Sequence, residues 1–173
     1  MEFKEVYGSV VFLDFDGVLN TNYTKGRVLP VEEEAIEFLN ELMVAHPYDI
    51  VLTTSWRECF TFTTLADWLK EIGVQAKVVD RTLAPVIQLG AEASKCFTLE
   101  EIEKEEESKL FDRAYQIECW INQFNPTHYL ILDDFEMSIT ELEEHRIKRL
   151  NPFEKDGHVG LKDLDEALEI LRR

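Results

Sequence analysis

Short apolar runs alternate along the chain with longer segments of helical periodicity. Val10-Val11-Phe12-Leu13 is unbroken and stops at Asp14. A run of this length, bounded by turn residues, predicts a strand buried on both faces. The form returns at residues 49–57, where Ile50-Val51-Leu52 passes into hydroxyls and then an arginine. It returns again at 74–79 and at 128–136. Between these runs the apolar positions fall three and four apart. Ala35, Ile36, Leu39, Leu42 and Met43 predict a helix over 31–45, opened by Pro30 and three glutamates and closed at His46-Pro47. Phe62, Leu65, Ala66, Trp68 and Leu69 predict a second over 59–72, stopped by Gly73. Ile117, Trp120, Ile121 and Phe124 form the stripe of a third over 112–124, with Asp112 as its N-cap. Leu161, Leu164, Ala167, Leu168 and Leu171 give a closing helix, and residues 146–152 a fifth, edge strand. The polar stretch 21–30, with its Gly and Pro, reads as a loop. Strands alternating with helices predict an α/β class, with a mostly parallel sheet and helices on both faces. Neither an internal repeat nor a linker divides the chain, so a single domain over 1–173 is expected.

Composition narrows the picture. At 173 residues and 45% apolar, the chain can build one substantial core. No apolar run is long enough to cross a bilayer, and Met1-Glu2-Phe3-Lys4-Glu5 lacks the basic-then-apolar form of a signal peptide. A cytoplasmic protein with no membrane partner is expected. Cys59, Cys96 and Cys119 are odd in number and widely spaced, which argues against zinc and a disulfide framework; they are expected as small buried hydrophobes. The net charge of −17 argues against a broad nucleic-acid-binding surface but favours divalent cations. It leaves room for a nucleic-acid end entering a metal-lined pocket. The acidic insertion at about 91–112 is expected at the periphery, since over a phosphate pocket it would repel the substrate.

The chemistry gathers at the strand ends. Asp14 and Asp16 follow the first strand and Asp133 and Asp134 the fourth. In open parallel sheets ligands bind outside the carboxyl ends of the strands. Four clustered carboxylates repel one another unless a hard cation such as Mg²⁺ joins them. Gly17 marks a turn that gathers Asp14 and Asp16 around one small volume. After the second strand, Thr54 or Ser55 offers a hydroxyl to a phosphate oxygen, and Arg57 a planar fork suited to the same group. Helix capping competes for these hydroxyls, and a salt bridge to Glu58 or another acid competes for Arg57.

The segment Asp14-Phe15-Asp16-Gly17-Val18-Leu19-Asn20 resembles the first signature of the haloacid dehalogenase-like (HAD) phosphohydrolases. The strand-end hydroxyls resemble the second signature and Asp133-Asp134 the last. The resemblance implies a Rossmann-like core with a minimal cap or none, residues 21–30 serving at most as a flap in which Lys25 and Arg27 could meet an anion. It implies Asp14 as nucleophile and Asp16 as general acid/base, with Asp14, Asp16, Asp133 and Asp134 at a Mg²⁺ site. Thr54, Ser55, Arg57 and Arg113 would bind phosphate. Arg113 is the best match for the family's basic residue before the last catalytic strand; Lys109 is second and Lys148 a further candidate. Thr-Ser-Trp-Arg at 54–57, the turn after Asp16, the strand-end Asp-Asp and the late Gly-Leu look like the HAD domain of Swiss Army Knife RNA repair proteins. The implied activity is hydrolysis of a phosphomonoester through an aspartyl-phosphate. The substrate would be a small phosphorylated molecule, a nucleotide or a nucleic-acid end. A weakly catalytic phosphate-binding domain and a phosphotransferase are the alternatives.

Overall fold

The computed structural model describes residues 7–24, 31–82 and 112–173. Four parallel strands form one sheet: β1 (Ser9–Leu13), β2 (Asp49–Leu52), β3 (Lys77–Arg81) and β4 (His128–Leu132), in the order β3-β2-β1-β4. The connecting helices are α1 (Glu33–Ala45), α2 (Phe62–Glu71), α3 (Arg113–Phe124), α4 (Thr140–Glu143) and α5 (Leu164–Leu171), with a short 3₁₀ turn at Ser55–Glu58 and another at Leu161–Asp163. The fold is the α/β arrangement that the alternating pattern predicts, with the Rossmann-like core that the resemblance implies.

Alternate residues of a strand face opposite sides, and β1 supplies both halves of the core. Val11 and Leu13 join Ile50, Leu52, Leu130 and Leu132 under α1, α2 and α5. Val10 and Phe12 join Val51 and Ile131 under α3 and α4, around the fully buried Trp120. Both faces are dry, which is why the strands read as continuous apolar runs rather than alternating ones.

Several boundaries differ from the sequence pattern. β3 begins three residues later than expected and takes in Asp80 and Arg81, both buried. Asp80 belongs inside because it accepts a hydrogen bond from Trp120 Nε1 at 2.7 Å. The expected edge strand at 146–152 shrinks to one bridge, between Ile131 and Arg146. Leu161 is exposed and Ile170 takes its place in the core, because the first turn of the closing helix is 3₁₀ and shifts the phase. Phe38, absent from the expected stripe of α1, is fully buried. Cys59 is exposed and Cys119 half-buried, against the expectation of buried hydrophobes. No helix among the described residues is long and apolar enough to cross a membrane. Lys25, Arg27, Cys96, Lys109 and the acidic insertion up to residue 111 lie outside the described residues.

Register aligns the strand ends. Leu13 pairs with Leu52 on one side and Leu132 on the other. The ladder continues one step further: Asp14 N donates to Leu132 O and Thr53 N to Leu13 O, both at 2.9 Å. The three strands therefore stop at one level. Their order reverses between β1 and β4, the place where such sheets open a crevice.

Candidate active site

Asp14 leaves the end of β1 buried, one carboxylate oxygen accepting from Phe15 N at 2.7 Å. Asp133 leaves the end of β4 with no exposed surface. Its Oδ1 accepts from Phe135 N at 3.0 Å and its Oδ2 from Arg113 Nη1 at 2.7 Å. The same guanidinium nitrogen stands 3.5 Å from Asp14 Oδ2. Arg113 is the first residue of α3, and Asp112 caps that helix by accepting from Ala114 N and Tyr115 N. The cap sets the angle at which Arg113 enters between the two acids.

One oxygen each from Asp14, Asp133 and Asp134 lies within 4.8 Å of the others. Asp134 Oδ1 is buried and has no hydrogen-bond partner among the described residues. An unsatisfied carboxylate oxygen is costly to bury, and a hard cation would satisfy it. Burial pushes Asp134 up to about 6, and the neighbouring Asp14 charge pushes it the same way. Burial also raises Asp133, against the opposing pull of Arg113. Burial works to lower Arg113, but the surrounding acids Asp133 and Asp14 outweigh it and hold the guanidinium charged. The donor set is oxygen only, and three carboxylates against one guanidinium leave two negative charges uncompensated, so the residues present would fit a divalent hard cation such as Mg²⁺.

Asp16 stands apart from this group. Gly17 takes φ +80°, which a residue with a Cβ rarely adopts, and the chain turns away there. The Asp16 carboxylate then accepts from Trp56 Nε1 at 2.7 Å and from Asn20 Nδ2 at 3.1 Å. The sequence pattern places the Asp16 side chain in the metal site. The structure turns it to the exposed rim instead, because two donors hold it there.

The hydroxyl segment also resolves. Thr54 is fully buried, and its Oγ1 caps the 3₁₀ turn by accepting from Trp56 N at 3.3 Å. Ser55 is exposed and lines the pocket. Arg57, expected at the phosphate, is buried instead. Its guanidinium donates to the Thr53 and Thr54 carbonyls and, at 2.6 Å, to Gln116 Oε1. Carbonyls left over where a strand ends need donors, and the planar fork supplies them; the acceptors of these bonds are carbonyl oxygens rather than the carboxylate of Glu58. Lys148 is exposed and does not line the pocket. Among the described residues, Arg113 is the cation that does.

These side chains open into a cavity of about 580 Å³ lined by Asp14, Asp16, Asn20, Ser55, Trp56, Arg113, Asp134, Phe135 and Pro152, together with Thr21, Asn22 and Thr24 at the start of the expected flap. The sequence pattern assigns no role to Trp56 or Asn20. Their signals are position, each within a segment that leaves the carboxyl end of a strand, and membership of the two motifs that carry the family resemblance. Arg146 is equally silent in the sequence. It is buried, pairs with Glu143 through two bonds of 2.8 and 2.7 Å and donates to Asp133 O at 3.2 Å, which fastens the turn carrying Asp134 and Phe135.

The chain matches no curated protein and no solved structure. A family model, described as the HAD domain in Swiss Army Knife RNA repair proteins, matches residues 10–165 and so spans β1 through the start of the closing helix. The strand-end acids, the arginine between them and the level strand ends all fall inside the match. The chain belongs to this family of HAD domains, and with it to the HAD-type phosphohydrolases.

Proposed function

We propose that the protein is a Mg²⁺-dependent phosphatase that hydrolyses a phosphomonoester through an aspartyl-phosphate on Asp14. The observation that carries this is the division of labour between the two aspartates. Asp14 faces the carboxylate cluster and Arg113, whereas Asp16, two residues on, is held apart at the rim. A nucleophile needs its charge offset by cations; a general acid/base needs access to the leaving group and to water.

Asp14, Asp133 and Asp134 would hold the cation, which when bound neutralises the phosphoryl oxygens and draws them towards Asp14. Arg113 would bind the same oxygens, its charge sustained by Asp133. Ser55, at the start of the 3₁₀ turn, contributes a hydroxyl. Asp14 attacks phosphorus and the leaving oxygen takes the proton of Asp16. Asp16 then removes a proton from water, which frees Asp14. Positioning and electrostatics dominate catalysis of this kind.

Phosphate release from p-nitrophenyl phosphate tests the reading, measured with Mg²⁺, with EDTA, and for Asp14→Asn. Release that needs both Mg²⁺ and Asp14 is expected; release independent of either refutes it, and a folded protein with none leaves a phosphate-binding role. A phosphorylated nucleic-acid end is favoured among substrates on two grounds. The family is that of RNA repair proteins, and Phe135, 65% exposed at the pocket, offers a face on which a base can stack.

A further inference from the structure

Trp56 lies in the pocket wall, between the aromatic core and the rim. Its ring packs at 5.4 Å from Phe15 and 5.4 Å from Trp68, so the indole has little freedom to turn. Its N–H points at Asp16 Oδ2 with a separation of 2.7 Å. Asp16 is otherwise an exposed side chain, and free rotamers of such a chain would spread it over several positions. The opposite oxygen is held too. Gly17 N donates to Asn20 Oδ1 at 3.0 Å, which fixes the amide so that its NH₂ faces Asp16 Oδ1.

We infer that Trp56 is the positioning residue of the general acid/base: its indole N–H, anchored in the Phe15–Trp68 stack, aims the Asp16 carboxyl group at the leaving oxygen. The inference rests on the phosphatase reading above. An indole N–H donates and cannot accept, so it orients Asp16 without competing for its proton. With Trp56 on Oδ2 and Asn20 on Oδ1, the plane of the carboxyl group is fixed at the rim of the pocket. As the bond from phosphorus to the leaving oxygen breaks, its electron pair stays on that oxygen, and the Asp16 proton neutralises it. The departing alcohol leaves Asp14 phosphorylated. A water oxygen next attacks phosphorus while the Asp16 carboxylate takes one of its protons, and the bond to Asp14 breaks to return the carboxylate.

Trp56→Phe keeps an aromatic ring against Phe15 and Trp68 and removes the N–H. The test compares kcat/KM on phenyl phosphate, whose leaving group needs a proton, with that on p-nitrophenyl phosphate, whose leaving group scarcely does. Selective loss is expected: about 10-fold or more on phenyl phosphate against less than about three-fold on p-nitrophenyl phosphate, a part of the roughly 10²–10⁴-fold that general acid–base catalysis supplies. Asp16→Asn should show the same selectivity, more strongly. The rise in melting temperature on adding Mg²⁺ should be unchanged in Trp56→Phe, because the carboxylate cluster does not include Asp16. Equal losses on both substrates, or none on either, overturn the inference while the phosphatase reading stands. A wild-type protein that releases phosphate from neither substrate removes both.

Discussion

Gly17→Ala offers a sharp test of the geometry, because it acts on backbone and site at once. At φ +80° the new Cβ strains the chain by about 1–2 kcal/mol, offset by about 0.4–1 kcal/mol from the stiffer unfolded chain. That Cβ would also sit 2.5 Å from Asp134 Cγ and 2.6 Å from its Oδ2. Ordinary carbon contacts begin near 3.5 Å, so Asp134 must retreat by about 1 Å. The side chain is half-buried, and moving it costs the fold little. The cluster suffers more, since a misplacement of about 1 Å at a reacting centre can cost on the order of 10²-fold in rate. Gly73→Ala is the matched control. Gly73 has φ +100°, yet its added Cβ meets only Ile36 Cγ2, at 3.9 Å. Both variants should melt lower by about 2–4 °C for each net kcal/mol lost. Only Gly17→Ala should weaken the Mg²⁺-induced rise in melting temperature and lower kcat by about 10²-fold. Indistinguishable Mg²⁺ responses and rates in the two variants would refute the placement of Asp134 against the Gly17 turn.

Other expectations concern charge and support. Asp134, with its carboxyl pushed up to about 6, binds its proton more tightly in the folded chain than in the unfolded one. Its contribution to the stability of the metal-free protein is therefore present below the ordinary carboxylate range and lost as pH rises through about 6. The melting-temperature gap between Mg²⁺-loaded and EDTA-treated protein should widen between about pH 5 and 7.5, and a constant gap would contradict this. Asp134→Asn should abolish most of the Mg²⁺ response without lowering metal-free stability, as read by the same melts. Arg57→Met should destabilise by about 2–4 kcal/mol in urea unfolding, because buried carbonyls lose their donors; a raised KM with unchanged stability would restore Arg57 to the phosphate. Trp120→Phe should cost about 1.5–3 kcal/mol, since a hydrogen bond to a buried carboxylate is lost, with kcat unaffected.

Much of this is legible in the residues. The strands announce themselves because both sheet faces are dry, so Val10–Leu13 and Leu130–Leu132 are apolar throughout. The acids after them stand out for the opposite reason. The direction of a polar side chain is not legible. Arg57 and Arg113 are equally basic in the sequence; one turns to carbonyls below the site and the other to carboxylates within it. The difference lies in which strand end each guanidinium meets, a long-range fact. Asp16 likewise parts from Asp14 through Trp56, a partner 40 residues away along the chain. Asp80 and Arg81 look like the end of order in the sequence, yet they lie in a strand, since a tryptophan on a distant helix satisfies the acid.

The level ending of β1, β2 and β4 has a further consequence. What brings Asp14, Thr53 and Asp133 side by side is amide-to-carbonyl pairing, a bond that any residue type except proline can make. Substitutions within either apolar layer can therefore accumulate without dragging the reactive groups out of alignment. The segments that frame the mouth, around Asn22, Phe135 and Pro152, lie outside that ladder, and the bond of 2.8 Å from Asn22 N to Pro152 O is likewise made by backbone, so their side chains can diverge. A chain built this way can reshape the mouth of its pocket while the floor at the strand ends stays put.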